Sequence, residues 1–128
     1  MIKKAFTLLE MLVVIGIIGI LVGLGAVSYS TTQKKARDAK RKQDLKAVQN
    51  CLEQYYSYNN FRYPDYGSWP PSSSFFDCGG GNTLTAPSDP IRNSSTYRYT
   101  ISSNSNGYTI CATLETESPS IYCLRNQQ

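Results

Sequence analysis

The sequence contains no histidine. That removes the side chain whose ordinary titration falls near neutral pH, and with it serine–histidine and most acid–base schemes. No phosphate-binding loop or nucleophile elbow occurs. The segment "CGGGN" at 78–82 is glycine-rich, but it lacks a lysine and a following helix, so it reads as a plain turn. There is no CxxC pair, and the four cysteines stand apart at Cys51, Cys78, Cys111 and Cys123. A zinc site would need four scattered thiolates without the usual ligand spacing. These absences point away from an enzyme and leave no cofactor or metal to expect. An even number of cysteines in a small region favours disulfides, in one of three pairings.

Charge is missing from one long stretch. From Phe6 to Val27 every residue is apolar, Gly or Thr, except Glu10, and residues 11–33 carry no charge. The next stretch, 34–46, holds seven basic residues (Lys34, Lys35, Arg37, Lys40, Arg41, Lys42, Lys46) against Asp38 and Asp44, a net +5. Residues 47–128 hold four arginines against six acids, a net −2. The overall charge of +4 is therefore local to one segment, and it gives no ground for expecting a nucleic-acid partner.

The uncharged run Met11–Thr32 is 22 residues. As a helix it would span about 33 Å, enough for a bilayer core of about 30 Å. The remaining chain is too short to surround it as a core helix. It is longer than the apolar region of a secretory signal, and no A-x-A follows it. Orientation is contested. The larger basic cluster lies after the run and would favour a cytoplasmic C-terminal side, whereas disulfides persist outside the cytoplasm.

The start of the run, "KKAFTLLEMLVVIGIIGIL", has two lysines, a small residue, Phe6, Thr7, Leu8, Leu9, Glu10 and an unbroken apolar helix. It resembles the class III signal of the type IV pilin and type II secretion pseudopilin superfamily. That resemblance implies cleavage between Ala5 and Phe6 by a prepilin peptidase, followed by N-methylation of Phe6. Ala5 stands where Gly is commonest, and Val27 where many members carry a proline. The resemblance also settles orientation, with the C-terminal part outside the cytoplasm. Independently, a carboxylate in an apolar helix is unfavourable by about 2.5–3.5 kcal/mol at the helix centre and marks a functional position. Pairing of Glu10 with the new amine of another subunit would remove that penalty and fix the axial register; a snorkelling interfacial glutamate is the plain alternative. Gly16, Gly19, Gly23 and Gly25 weaken the helix, and Gly19 and Gly23 form a GxxxG that permits close packing in lipid. Local unwinding over 19–26 is the functional reading, and ordinary membrane-helix glycine the other.

Residues 33–58 contain neither Pro nor Gly. Ala36, Ala39, Ala47, Val48, Cys51, Leu52 and Tyr55 recur at helical steps, which predicts an amphipathic continuation of the helix. The basic segment within it has three readings: contact with lipid headgroups, pairing with acidic head surface of another subunit, or a solvated face with local pairs such as Lys34–Asp38 and Asp38–Lys42. Residues 59–95 read as loop, with Trp69, Phe75 and Phe76 pinning it to the head. "NSS" at Asn93 is a glycosylation sequon. Pseudopilin heads of this type can bind calcium, but Asp65, Asp77 and Asp89 lack EF-hand spacing. Over 96–125, alternation at Tyr97, Tyr99 and Ile101, the Asn106–Gly107 turn signal, alternation from Tyr108 to Leu114, and Ile121–Leu124 predict a three-stranded antiparallel meander. Centring the second hairpin on Glu117 places Cys111 opposite Cys123 and leaves Cys51 for Cys78, the preferred pairing.

The reading is an α+β, pilin-like chain: leader 1–5, transmembrane or filament-core helix 6–32, second half of the helix 33–58, and head 59–128. Three functions compete: a structural subunit of a type IV pilus-like filament, a pseudopilin of a secretion or DNA-uptake system, and a membrane-tethered extracytoplasmic binding module. The expected partners are other copies of the chain, the prepilin peptidase, an inner-membrane assembly platform and membrane lipid. The expected location is the inner membrane with the head outside the cytoplasm, then an extracellular pilus or periplasmic pseudopilus.

Overall fold

The computed structural model describes residues 6–69, 74–91 and 99–128, without the side chains of 26 and 27. The cleavage residue Ala5, the sequon at Asn93 and the strand position Tyr97 lie outside the described residues. The chain divides into two compact units, residues 1–34 and 35–128. One helix, α1 (Leu8–Tyr58), runs through both. In the first unit it consists of the apolar run, whose side chains from Phe6 to Leu24 are exposed.

In the second unit α1 is joined by a hairpin, β1 (Phe75–Gly79) with β2 (Asn82–Thr85), and by a sheet of β3 (Tyr99–Asn104), β4 (Gly107–Thr113) and β5 (Ile121–Arg125). The sheet order is β3-β4-β5, all antiparallel. The alternation that predicted these strands is the alternation of burial: Tyr99 and Ile101, then Tyr108, Ile110 and Ala112, face inward. Leu45, Val48 and Leu52 of α1 complete the core against them and against Phe76. Each such side chain contributes about 1.5–3 kcal/mol by leaving water. The result is a small sheet laid on one face of a helix.

Three expectations need correction. The segment 59–95 is not all loop, because it contains the β1–β2 hairpin, whose strands are only five and four residues long. Short strands joined through Gly80 and Gly81, with Gly79 ending the first, give little periodic signal. Phe75 faces outward while Phe76 is buried, as alternation along β1 requires. Finally, the β3–β4 turn is centred one residue earlier than the Asn–Gly signal suggested: Asn104 pairs with Gly107 across the loop. The Asn104 side chain closes it, accepting from the Asn106 and Gly107 amides at 2.9 and 3.0 Å. A Cβ at Gly107 would meet the tip of the Asn126 side chain at 2.9 Å, a contact that a turn of that amide relieves.

The glycine run after Cys78 has a double constraint. Gly79, Gly80 and Gly81 all take positive φ, +81°, +61° and +82°, a region that side chains rarely adopt. A Cβ on Gly79 would also fall 2.9 Å from the Tyr58 side chain and 3.2 Å from the Tyr55 backbone, whereas one on Gly81 meets nothing. Gly81→Ala should therefore cost about 1–2 kcal/mol for backbone conformation alone, and Gly79→Ala about 1–3 kcal/mol more for the clash. Chemical denaturation of the two variants of the full chain in detergent checks this; equal losses would show that the Tyr58 contact yields freely.

Candidate functional site

Two features carry the functional reading, one in each unit. In the first, α1 starts immediately after Thr7. The Glu10 amide donates to Thr7 Oγ1 at 3.2 Å and the Met11 amide to the Thr7 carbonyl at 3.3 Å. Thr7 is thus the N-cap, and Glu10 is the third helical residue. Thr-x-x-Glu is the capping-box pattern, in which two chain-end amides are satisfied locally. Glu10 also lies in the first turn, where the helix dipole favours negative charge. It is exposed, and so is Phe6. The span Leu8–Gly25 is long and apolar enough to cross a membrane, and none of it is buried. Gly16, Gly19, Gly23 and Gly25 have no neighbour where a Cβ would stand. The stretch 19–26, read as a place for unwinding, is helical in the isolated chain.

In the second unit the basic segment is solvated on one face only: Lys35, Lys40 and Lys46 are exposed, while Arg37, Arg41 and Lys42 turn toward the head. Arg41 is fully buried. Its Nε and Nη2 donate to the two oxygens of Asp89 at 2.9 and 3.0 Å, and its Nη1 to Asp38 at 2.9 Å and Glu115 at 2.8 Å. Arg37 makes a second two-pronged contact with Glu115, at 2.7 and 2.6 Å. Asp38, one turn before Arg41, accepts from the backbone of Glu115 and Thr116 and from the Thr116 hydroxyl at 2.7–3.1 Å. Lys42 reaches Glu117 at 2.6 Å. Further along α1, Asp44 accepts from the Tyr99 hydroxyl at 2.8 Å. Glu53 accepts from Tyr63, Tyr108 and the Gln127 amide at 2.7–3.0 Å. Residues 37–53 of the helix are therefore clamped to the head by ionic and hydrogen-bonded contacts.

This overturns two expectations. Asp38 does not pair with Lys34 or Lys42 on a wet surface; it is buried beneath the β4–β5 connection. The alanines 36, 39 and 47 are exposed, and the buried stripe instead runs Asp38, Arg41, Leu45, Val48, Leu52. Apolar periodicity missed it because its first turns are polar. The surplus of base on the helix and of acid in the head was the signal available. Of the three aspartates considered for calcium, Asp89 is engaged by Arg41, and Asp77 accepts from the Gly79 amide at 2.8 Å. The cysteines form two bridges. Cys51 of α1 joins Cys78 of β1, both buried, and Cys111 of β4 joins Cys123, directly opposite on β5.

The clamp shifts its members' ionisation. Burial pushes the Asp38 carboxyl up, but hydrogen bonds from Thr116, the Glu115 and Thr116 amides and Arg41 outweigh it and hold it below the usual range. Arg37 holds the Glu115 carboxyl low, with burial opposing and Arg41 assisting. Burial raises the phenols of Tyr99 and Tyr108, and their carboxylate partners Asp44 and Glu53 raise them further. Depressed carboxylates contribute stability that is present above their unfolded values of 3.8 and 4.5 and is lost as pH falls through the lower folded values. Raised phenols contribute stability that is present below their unfolded value of 10.0 and is lost as pH rises above it. Melting temperature should therefore be flat between about pH 5 and 9 and fall on both sides; a maximum inside that window would contradict the assignment. Arg41→Met should cost about 3–5 kcal/mol, because it strands buried carboxylates, whereas Lys42→Gln, at a half-exposed pair, should cost at most about 1 kcal/mol. Denaturation curves of both variants decide it, and similar losses would remove Arg41 from its central place.

Residues 1–26 match the family model described as the prokaryotic N-terminal methylation motif. A stretch of 62 residues is 42% identical to the type II secretion system core protein G of Aeromonas hydrophila, covering 48% of this chain and 43% of that protein. The corresponding protein of Escherichia coli K12 is 39% identical over 62 residues, 48% of this chain and 42% of its own length. The matched stretch thus spans less than half of the curated relatives. No solved structure matches the chain. The N-terminal segment of this chain is a prepilin-type methylation motif, and about half of the chain is similar in sequence to type II secretion pseudopilins.

Proposed function

We propose that this chain is a non-enzymatic, pilin-like structural subunit of a secretion pseudopilus. The observation that carries the reading is the coincidence of the methylation motif over 1–26 with an apolar helix whose span Leu8–Gly25 is wholly unburied in the isolated chain. Such a surface is compatible with water only when lipid or other helices cover it. Lipid covers it before assembly, with the head outside the cytoplasm. Further copies of the chain cover it in the filament. Among the two filament readings, the relatives named as secretion core proteins favour pseudopilus over surface pilus.

In this reading a prepilin peptidase removes residues 1–5 and methylates Phe6, and an inner-membrane assembly platform receives the processed chain. Glu10 then pairs with the Phe6 amine of a neighbouring copy and sets the register. The glycines at 16, 19, 23 and 25 allow the helix to unwind locally once it is packed. The buried Cys51–Cys78 bridge ties β1 to α1 and holds the head rigid, as a stack of identical parts requires.

Processing is tested first. The mature chain isolated from its host should begin at Phe6 and carry one added methyl group by mass spectrometry; an intact Met1 would favour a tethered binding module instead. Register is tested with two substitutions. Glu10→Gln removes the charge and keeps a polar side chain, while Glu10→Val removes both; the observed cap, made by the Glu10 backbone amide, is available in either variant. Both should abolish filaments and leave the membrane pool unchanged if charge pairing is the essential role. Filaments from Glu10→Gln would show that the charge of Glu10 does not set the register.

A further inference from the structure

The two disulfides sit in different environments. Cys51 and Cys78 are 4% and 6% exposed, between α1 and β1. Cys111 and Cys123 lie on the face of the sheet turned away from the helix, with Cys111 half-buried and Cys123 exposed. We infer that Cys111–Cys123 is a site of thiol–disulfide exchange for a dithiol reductant, while Cys51–Cys78 is a closed structural bridge.

Exchange requires a thiolate to approach one sulfur along the bond axis, and of the two bridges only the second includes a solvent-exposed cysteine, Cys123. Its surroundings suit an incoming anion. The residues that alternate outward with the pair are Thr109 and Thr113 on β4 and Ile121 and Arg125 on β5. Thr100 and Ser102 are the outward residues on β3. That face carries the cation Arg125 and no carboxylate on any of its three strands. A thiolate of the dithiol attacks Cys123 Sγ. The Cys111–Cys123 bond breaks, and Cys111 leaves as a thiolate that takes a proton. The second thiol of the reductant then attacks the mixed disulfide, releasing Cys123 as a thiol. The dithiol becomes a disulfide, and two electrons pass to the protein.

The head is built to survive this step. Without the bridge, β5 stays paired with β4 from Thr109–Arg125 to Thr113–Ile121. Its end is held from α1, where Gln49 donates to the Arg125 carbonyl at 2.7 Å and Glu53 accepts from the Gln127 amide at 3.0 Å. Tyr122 and Leu124 still pack on the core. The second bridge is therefore removable without opening the first.

The test titrates the full chain in detergent micelles with dithiothreitol, quenches with iodoacetamide and maps alkylated peptides. Cys111 and Cys123 should become half-alkylated at a dithiol concentration about tenfold lower than Cys51 and Cys78. Far-ultraviolet circular dichroism should be unchanged across that first step. The double variant Cys111→Ala, Cys123→Ala should lose the first step and keep both the second step and the folded spectrum. Simultaneous alkylation of all four cysteines, earlier alkylation of Cys51 and Cys78, or loss of the folded spectrum during the first step would each overturn the assignment.

Discussion

The second unit depends on one buried cation. Arg41 has no access to water, and a guanidinium does not give up its charge. It must therefore be met by carboxylates, and they come from three separate places: Asp38 on the same helix, Asp89 in the loop after β2, and Glu115 after β4. Apolar packing of a small sheet on a helix tolerates sliding. A forked donor with fixed partners does not. Asp38 adds a further constraint, because its oxygens are filled by the amides of Glu115 and Thr116 and cannot follow if the β4–β5 connection moves. Arg41 thus sets both the height and the rotation at which the sheet sits on this part of α1.

The same arrangement changes what the basic segment can do. Arg37, Arg41 and Lys42 are all committed to acids of the head. Lys40 is paired with Asp44, and Lys46 donates to Gln49. A segment of net +5 reads in isolation as an electrostatic docking strip, but most of its donors are satisfied inside the subunit. The exchange of solvent for internal partners also places the acids of the head, Asp89, Glu115 and Glu117, against part of the basic surplus. The described residues of the first unit offer no such clamp. The apolar span Leu8–Gly25 is exposed in the isolated chain, and it is this surface that the proposed function covers with lipid or with further copies.

Much of this was legible in the residues. The long helix, the meander and the opposition of Cys111 to Cys123 follow from periods of 3.6 and 2 and from the position of a turn. The clamp was not legible, because a buried stripe was sought through apolar residues, and at Asp38 and Arg41 the stripe is ionic. Burial of charge is set by distant partners, and nothing local to residues 38–41 names Asp89 or Glu115. The β1–β2 hairpin escaped for a related reason. Its strands form around three glycines whose positive φ and contact with Tyr58 are tertiary facts. The N-terminal motif was the most legible part, since its short segment is read by composition and order alone.

Even there, the structure adds a physical layer to the motif. Thr7 and Glu10 stand at the positions that a capping box uses to begin a helix, and the observed Thr7–Glu10 contact fixes the first residue of α1 at Leu8. Phe6 is thereby left just outside the helix. An amine created at Phe6 would not be absorbed into the helical backbone and would remain free to meet a carboxylate. Glu10 is held in the first turn, close to the polar end of the apolar span, where a charge is least costly. The Thr7 hydroxyl and the Glu10 amide therefore start the helix, and the Glu10 carboxylate is left exposed in its first turn. In the filament proposed for this chain, that carboxylate is the polar feature through which neighbours would be aligned along the axis of an otherwise apolar span.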